Sequence, residues 1–545
     1  MKDVVYKHVL LNAVEFNGRA NPKAILGKVI SELPESKKDI KKLMILINKT
    51  VDEVNKLGLE KQKLIVSQKK FRSKPLKKQR EGLPDLPNVK GKVVMRLAPY
   101  PSGPLHIGNA KQYIVNDWYV KKYGGKLILV IDDTIGSAEK QIVKDAYKLI
   151  PEGLKWLNID FDKQIIYKSD RLPIYYEHAE KIIKTGKAYV CECPFQDLRK
   201  FRKEGKECKH RNQSIKENMK KWHDMISGKY KEGEVVLRLK TNMEDPNPAF
   251  RDRVLFRVCE REHPRVGTKY KIWPLLEFAF AIDDHLLGIT HILRGKELMM
   301  ETEMEKYIWD IFGWKHVETL HTGLLAIEGV KLSKSKAQQE VNSGEYSGWD
   351  DPRTWSLQSL ARRGILPEAI RKFELSFGIT LHEVHVPIDK LYSENRKLID
   401  SISERYFFVI NPEEIQLDKV PVKIAKAPLL PGKKKYRSIP VGKKIYVEKL
   451  DLVANREREV RLMHLCNVKL EKKSKVTGKA NKDIPKIHWV SNKAVKIKIT
   501  MDNGNVIEGL AEPDIKKVKP GQMVQMERLF FARCDKKLEF YYTHR

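Results

Sequence analysis

Two short stretches hold residues suited to gripping phosphate. The first, "RLAPYPSGPLHIGN" at 96–109, sets three prolines and a glycine ahead of His106, Gly108 and Asn109, and "AKQYIVNDWYVKKY" follows as a helix. A stiff turn between a strand and a helix lies at the carboxyl edge of an α/β sheet, where ligands bind. The helix start offers free amide donors and a partial positive charge to a phosphate. Gly108 lets a ligand approach the backbone, while His106 and Asn109 can donate hydrogen bonds to phosphoryl oxygens. An isolated HxGN is equally compatible with a structural histidine. The second stretch, "GVKLSKSK" at 329–336, places Lys331 and Lys334 among small hydroxyl residues after the strand-like "LLAIEG". Such lysines suit a loop that closes on a polyphosphate and supplies charge as a transition state develops. Either stretch alone is weak; their pairing carries the weight.

A third set is metal-binding in type. "CECPFQDLRKFRKEGKECKH" contains Cys191, Cys193, Cys208 and His210, a CxC and a CxH separated by 14 residues. Three thiolates and an imidazole form the closed tetrahedral donor set preferred by structural zinc. Reduced, partly buried thiols beside an exposed histidine are the alternative. Cys259, Cys466 and Cys534 have no partners by spacing and read as core residues.

These sites need scaffolding. At 545 residues the chain exceeds a single core and calls for several domains. Residues 1–68 have helical periodicity (Val4, Val5, Leu10, Leu11, Val14; Leu43, Ile45, Leu46, Val51, Val54) and predict a small helical domain. The linker at 69–91 opens with "KKFRSKPLKKQR", seven positive charges in twelve positions. From residue 92, strand-like runs alternate with amphipathic helices, which predicts a parallel sheet with right-handed crossovers over 92–190, "KAYVCEC" continuing the pattern. A charged, cysteine-bearing insertion at 191–268 interrupts it, and 269–336 completes it through the KLSKS loop. A helical connector fills 337–388, broken at Gly364 and Pro367. Short β runs dominate 389–545, with "DNGN" marking a hairpin, and predict a barrel-like region.

Hydrophobic residues make up 41% of the chain and the net charge is +34. The longest apolar runs fall far short of the roughly 20 residues of a membrane span. Six cysteines do not make a disulfide scaffold, and "MKDVVYKHVLLNAVEFNGRANPK" lacks a signal-peptide pattern, so a reducing, cytoplasmic setting is expected. The excess charge, spread over many segments, points to a polyanion. "PGKKKYR" at 431–437 and "KKSKVTGKANK" at 472–482 are candidate phosphate contacts.

HxGN at the start of the α/β region and KLSKS near its end resemble the HIGH and KMSKS signatures of class I aminoacyl-tRNA synthetases. "YKSDRLPIYYEHAEKIIKTGKAYVCECP", "AIDDHLLGITHILRGKE" and "WDDPRTWSLQSLARRGI" extend the resemblance to the archaeal type of glutamyl-tRNA synthetase, densest over 96–375. The resemblance implies a Rossmann-like catalytic domain, an insertion that binds the tRNA acceptor end, and an anticodon-binding barrel. The implied activity joins L-glutamate to tRNA through a glutamyl-adenylate made from ATP with Mg²⁺. By motif position His106, Gly108, Asn109, Lys331 and Lys334 face the nucleotide. Arg96 is implied to meet substrate carboxylate, Asp132 the α-amino group, and Arg294 the substrate as well. Related enzymes can carry Zn²⁺ at a CxC and CxH site, and the N-terminal helices are a candidate protein-docking region. A glutaminyl enzyme of the same architecture, or a non-catalytic RNA-binding relative, are the alternatives. The chain departs from the family at Tyr100, Asn109 (usually histidine), Val130 (usually arginine), Ile135, Leu276 and Phe280.

Overall fold

Spacing of apolar side chains decides the N-terminal elements. In the computed structural model, which describes residues 1–16, 18–68, 82–136, 141–330 and 334–545, helices α1 (Lys2–Glu15), α2 (Pro22–Glu32), α3 (Ile40–Asn55) and α4 (Leu59–Gln68) form a unit bounded by Met1–Leu83. Val5, Val9, Ile25, Val29, Leu43, Ile47, Val51 and Val54 recur at helical spacing and fill its core. The buried Gln62 amide donates to Gly18 O (3.1 Å) and Val54 O (2.8 Å), tying α4 to the ends of α1 and α3. The basic segment at 69–80 lies outside the described residues.

The second unit, Pro84–Arg545, opens on the expected strand and helix alternation. Strand β1 (Val94–Leu97) leads through the Pro/Gly turn to α5 (Ile107–Lys122), then β2 (Lys126–Ile131), α6 (Ala146–Trp156), β3 (Ile166–Tyr167) and α7 (Leu172–Lys184). The pairs β1–β2 and β2–β3 are parallel. Thr290 N donates to Val94 O (2.9 Å), which brings a later strand alongside β1.

The intervening segment is antiparallel, and it is larger than expected. Strands β4 (Ala188–Cys191), β5 (Val236–Leu239), β6 (Val254–Val258) and β7 (Ile272–Pro274) make one antiparallel sheet, with α8 (Phe195–Glu204) and α9 (Ile215–Ile226) between β4 and β5. "KAYVCEC" therefore belongs to the insertion's sheet and does not continue the parallel one. Parallel order resumes after α10 (Leu276–Leu286): β8 (His291–Gly295), α11 (Met299–Phe312) and β9 (Glu318–Thr322), with β8 and β9 parallel.

Beyond these, β10 (Leu325–Glu328), the "LLAIEG" strand, precedes α12 (Lys334–Asn342), α13 (Leu357–Arg363) and α14 (Pro367–Leu375). The break between α13 and α14 falls as expected: Gly364 ends α13 at φ +86° and Pro367 starts α14. Strand β11 (Val384–Pro387) pairs parallel with β10. The next stretch, expected to open the β region, is the helix α15 (Asp389–Ile399), which buries Leu391, Tyr392, Asn395 and Ile399. Strands begin at Glu404 and form two seven-stranded sheets with separate cores. The "DNGN" hairpin joins Val495–Thr500 to Val506–Ala511. Cys259, Cys466 and Cys534 are buried, as expected of core residues. No helix among the described residues is long and apolar enough to cross a membrane.

Candidate active site

The Pro/Gly turn is shaped by three backbone contacts. Asp132 N donates to Pro99 O (3.1 Å), Val143 N to Pro101 O (2.8 Å), and Leu357 N to Leu105 O (2.9 Å). His106 then caps α5: its backbone N–H donates to Asn109 Oδ1 (3.0 Å), one half of a capping box. Asn109 thus has a structural job at the helix start, with its amide nitrogen left as the donor end. Ile107 N donates to Trp355 O (3.3 Å), so the turn is braced by the segment after α12.

The same brace reaches Gly103, whose φ is +134°. A Cβ there would lie 3.1 Å from the Trp349 ring, in a conformation L residues rarely adopt. Gly103→Ala is expected to destabilise the fold by about 1–3 kcal/mol and to lower pyrophosphate exchange at least ~10-fold. Thermal unfolding and the exchange assay check this; parent-like values in both would contradict it.

Below the turn, charged residues far apart in sequence meet around one ring. Arg96 on β1 pairs with Asp284 of α10 through both Nε and Nη2 (Nη2–Oδ2 2.9 Å). Arg294 on β8 donates to Glu305 (2.9 Å) and Thr302 (3.3 Å) of α11. Lys168, just after β3, sits 3.2 Å from Asp132 Oδ1. All three cations surround Phe280 of α10: Lys168 Nζ lies 3.2 Å from the ring centroid, and the Arg96 and Arg294 guanidinium carbons 4.1 and 5.7 Å. Arg96, Asp132, Lys168, Phe280 and Arg294 are all buried. Burial raises Glu305 to about 7 against the opposing pull of Arg294. Three cations, Arg96, Lys168 and Arg294, thus meet three carboxylates, Asp132, Asp284 and Glu305, in one buried cluster.

The structure thus brings Arg96, Asp132 and Arg294 into one cluster, and it adds Lys168, Asp284 and Glu305, which sequence reasoning missed. "YKSDR" and "AIDDH" contained two of them, but a lysine or aspartate inside a motif gives no sign of its partner. Val130 and Ile135, where the family's charged or polar residues are replaced, are buried in the hydrophobic core. Lys331 lies outside the described residues, and Lys334 is the first residue of α12.

The four expected metal ligands converge. Their ligand atoms lie within 4.8 Å of one another. Cys191 Sγ is 3.7 Å from both Cys208 Sγ and His210 Nδ1, and Cys193 Sγ is 3.3 Å from His210 Nδ1. A tetrahedron with metal–sulfur bonds of ~2.3 Å has edges of about 3.8 Å, so the set fits zinc. The hydrogen bond from Cys191 lowers Cys208 to about 4, and the same bond raises Cys191. His210 Nε2 faces Glu192 (3.6 Å), which is also held by Lys221 (2.6 Å) and Tyr230 (2.8 Å), a carboxylate–histidine arrangement that orients a ligand ring.

The basic stretches divide. Lys433, Lys434, Lys435 and Tyr436 are exposed at a hairpin tip, and Lys473, Lys475 and Lys479 are exposed along one strand. Arg437 does not join them: it is buried and paired with Glu512 (3.0 Å) and Glu527 (2.6 Å).

A parallel nucleotide-type sheet whose first turn bears HxGN, followed by two β-rich C-terminal sheets, is the layout of a class I tRNA synthetase. The family model for tRNA synthetases class I (E and Q), catalytic domain, matches residues 92–401, and the two anticodon-binding models of that group match 403–492 and 486–535. The chain belongs to this family. Among curated relatives it is 43% identical to the glutamate–tRNA ligase of Pyrococcus abyssi, over 98% of this chain and 97% of that one. It is 41% identical to that of Methanocaldococcus jannaschii over 98% of each, and 40% identical to that of Archaeoglobus fulgidus over the full length of both.

Proposed function

We propose that the protein is an ATP-dependent ligase that esterifies L-glutamate to tRNA. The observation that carries this reading is similarity at about 40% identity, over nearly the whole length, to relatives named glutamate–tRNA ligase. The cations around Phe280 support an acidic amino acid.

In the first step a glutamate α-carboxylate oxygen attacks the α-phosphorus of MgATP. A carboxyl–phosphate bond forms, the bond to the β-phosphate breaks, and pyrophosphate leaves. In the second, a hydroxyl of the tRNA's terminal ribose attacks the acyl carbon and AMP leaves. The protein's task is alignment and charge stabilisation, which fits donors and cations in place of a nucleophile. His106 and the Asn109 amide nitrogen meet the phosphates at the start of α5, Gly108 gives the nucleotide room, and Lys331 and Lys334 close over the polyphosphate. Asp132 receives the α-ammonium group, while the cluster containing Arg96 and Arg294 selects the anion.

The insertion takes the acceptor end, with Cys191, Cys193, Cys208 and His210 holding a structural Zn²⁺. The C-terminal sheets take the anticodon: exposed Lys473, Lys475 and Lys479 meet phosphates and Tyr436 offers a stacking face. Pyrophosphate exchange, with tRNA present and each of the twenty amino acids in turn, tests the reading. Exchange with glutamate at least about 100-fold above glutamine is expected; exchange with another amino acid and none with glutamate would overturn it.

A further inference from the structure

Of the three cations around Phe280, two are already held by protein carboxylates in good geometry. Arg96 spends its fork on Asp284, both oxygens engaged, and Arg294 is hydrogen-bonded to Glu305 and Thr302. The Arg96 pair is bidentate, the stronger geometry, whereas Arg294 reaches Glu305 through Nη1 alone. Lys168 differs. It is fully buried, its nearest carboxylate is Asp132 at 3.2 Å with Asp283 acting on it electrostatically as well, and its Nζ makes no hydrogen bond among the described residues. An ammonium has three donors to satisfy, and leaving them unmet in a buried site is unfavourable. The Phe280 face at 3.2 Å holds the charge in place without supplying an acceptor. Arg294 Nη2 is a second buried donor without a partner among the described residues, beside the same ring.

We propose that Lys168 is a substrate-binding residue that releases Asp132 to the amino acid's ammonium group and takes the side-chain carboxylate of glutamate, with Arg294 Nη2 as the second donor. This rests on the glutamate reading above and goes beyond it by naming the group that reads the side chain. At this pair the charges balance: one internal ion pair is replaced by two, Asp132 with the ammonium and Lys168 with the side-chain carboxylate, and the α-carboxylate brings a further negative charge outside them. The side-chain carboxylate is the correct target, because it stays ionised throughout the reaction. The α-carboxylate must surrender its charge on attacking phosphorus, and a cation fixed on it would oppose that step. The neutral amide of glutamine offers Lys168 no charge to meet, so the same residue sets the preference for the acid.

Steady-state pyrophosphate exchange by the full chain with tRNA, for the parent and for Lys168→Met, Lys168→Gln and Lys168→Arg, tests this. The Met and Gln variants are expected to raise KM for glutamate roughly 10- to 100-fold. They are expected to lower the glutamate-over-glutamine preference by a similar factor, with KM for ATP within about twofold of the parent. Lys168→Arg keeps the charge and is expected to retain most of the preference. A purely structural lysine would act on glutamate, glutamine and ATP alike, and that outcome overturns the proposal, as does an unchanged KM for glutamate. Should the Met and Gln variants fail to fold, the Arg variant is read alone: a change in KM for glutamate at least about threefold larger than the changes for glutamine and ATP sustains the proposal, and equal or no changes for all three overturn it. A parent that exchanges with another amino acid and not with glutamate defeats the functional reading itself, and so is distinguishable from failure of Lys168 alone.

Discussion

Alanine at His106 or at Lys334 is expected to lower the rate of ATP-dependent glutamate activation by about 10²- to 10³-fold, the effect of removing one preorganised donor from a charge-developing transition state. The loss is expected in kcat, with KM for glutamate near the parent value, because the amino-acid cluster around Phe280 is built from other residues. His106 also caps α5, so alanine there would cost about 1 kcal/mol of stability. His106→Asn keeps a capping side chain and separates the two effects: it is expected to restore the unfolding temperature and leave the rate low. Lys334 invites a similar argument from the opposite side. A cation in the first turn of a helix is disfavoured by about 0.3–1 kcal/mol, and α12 begins on Lys334 with no acidic residue in its first turn. Helix stability therefore does not explain the lysine, and the proposed role at a polyphosphate would. Parent-like exchange rates in both alanine variants would remove the assigned nucleotide site.

Cys191→Ser is expected to abolish binding of about one equivalent of zinc and to loosen the insertion. The apolar core around the cluster is small, with Tyr189, Cys191, Leu198 and Cys208 as its buried members. With so few side chains, a metal held by the proposed ligands would supply much of the local folding free energy. The hydrogen bond from Cys191 pushes Cys208 down, the direction that favours a thiolate donor. Metal analysis of the purified parent and variant, with limited proteolysis across 192–214, reads both parts. The parent is expected to resist cleavage and the variant to be cut there; a parent that contains no zinc and takes none up would contradict the assignment.

Much of the scaffold was legible because local signals and tertiary fold agreed. The Pro/Gly turn after β1, the αL glycine at Gly364 ahead of Pro367, and the "DNGN" hairpin each follow from backbone preferences that act within a few residues. "KAYVCEC" misled because a four-residue apolar strand reads the same whether its neighbour runs parallel or antiparallel; pairing with Val236–Leu239 decided it. Helix α15 was overlooked for a different reason: only Leu391, Tyr392, Asn395 and Ile399 face inward, and charged residues between them hide the period. The convergence of Cys191, Cys193, Cys208 and His210 was legible from spacing, since CxC and CxH need little more than a loop to bring them together. The amino-acid cluster was half legible. Arg96, Asp132 and Arg294 came from the family resemblance, but Asp284, 188 residues from Arg96, and Lys168 acquire their meaning only when the sheet assembles them around Phe280. Arg437 shows the converse, a lysine-flanked arginine that looked like an RNA contact and is an internal ion pair with Glu512.

The central claim is that this chain charges tRNA with glutamate. It is tested most directly by incubating the purified full chain with ATP, Mg²⁺ and a panel of purified tRNAs, and identifying the amino acid esterified to each. The account predicts glutamate on the glutamate tRNA. It allows glutamate on the glutamine tRNA and predicts no glutamine on either. Esterified glutamine without esterified glutamate, or no ester on any tRNA, would contradict it.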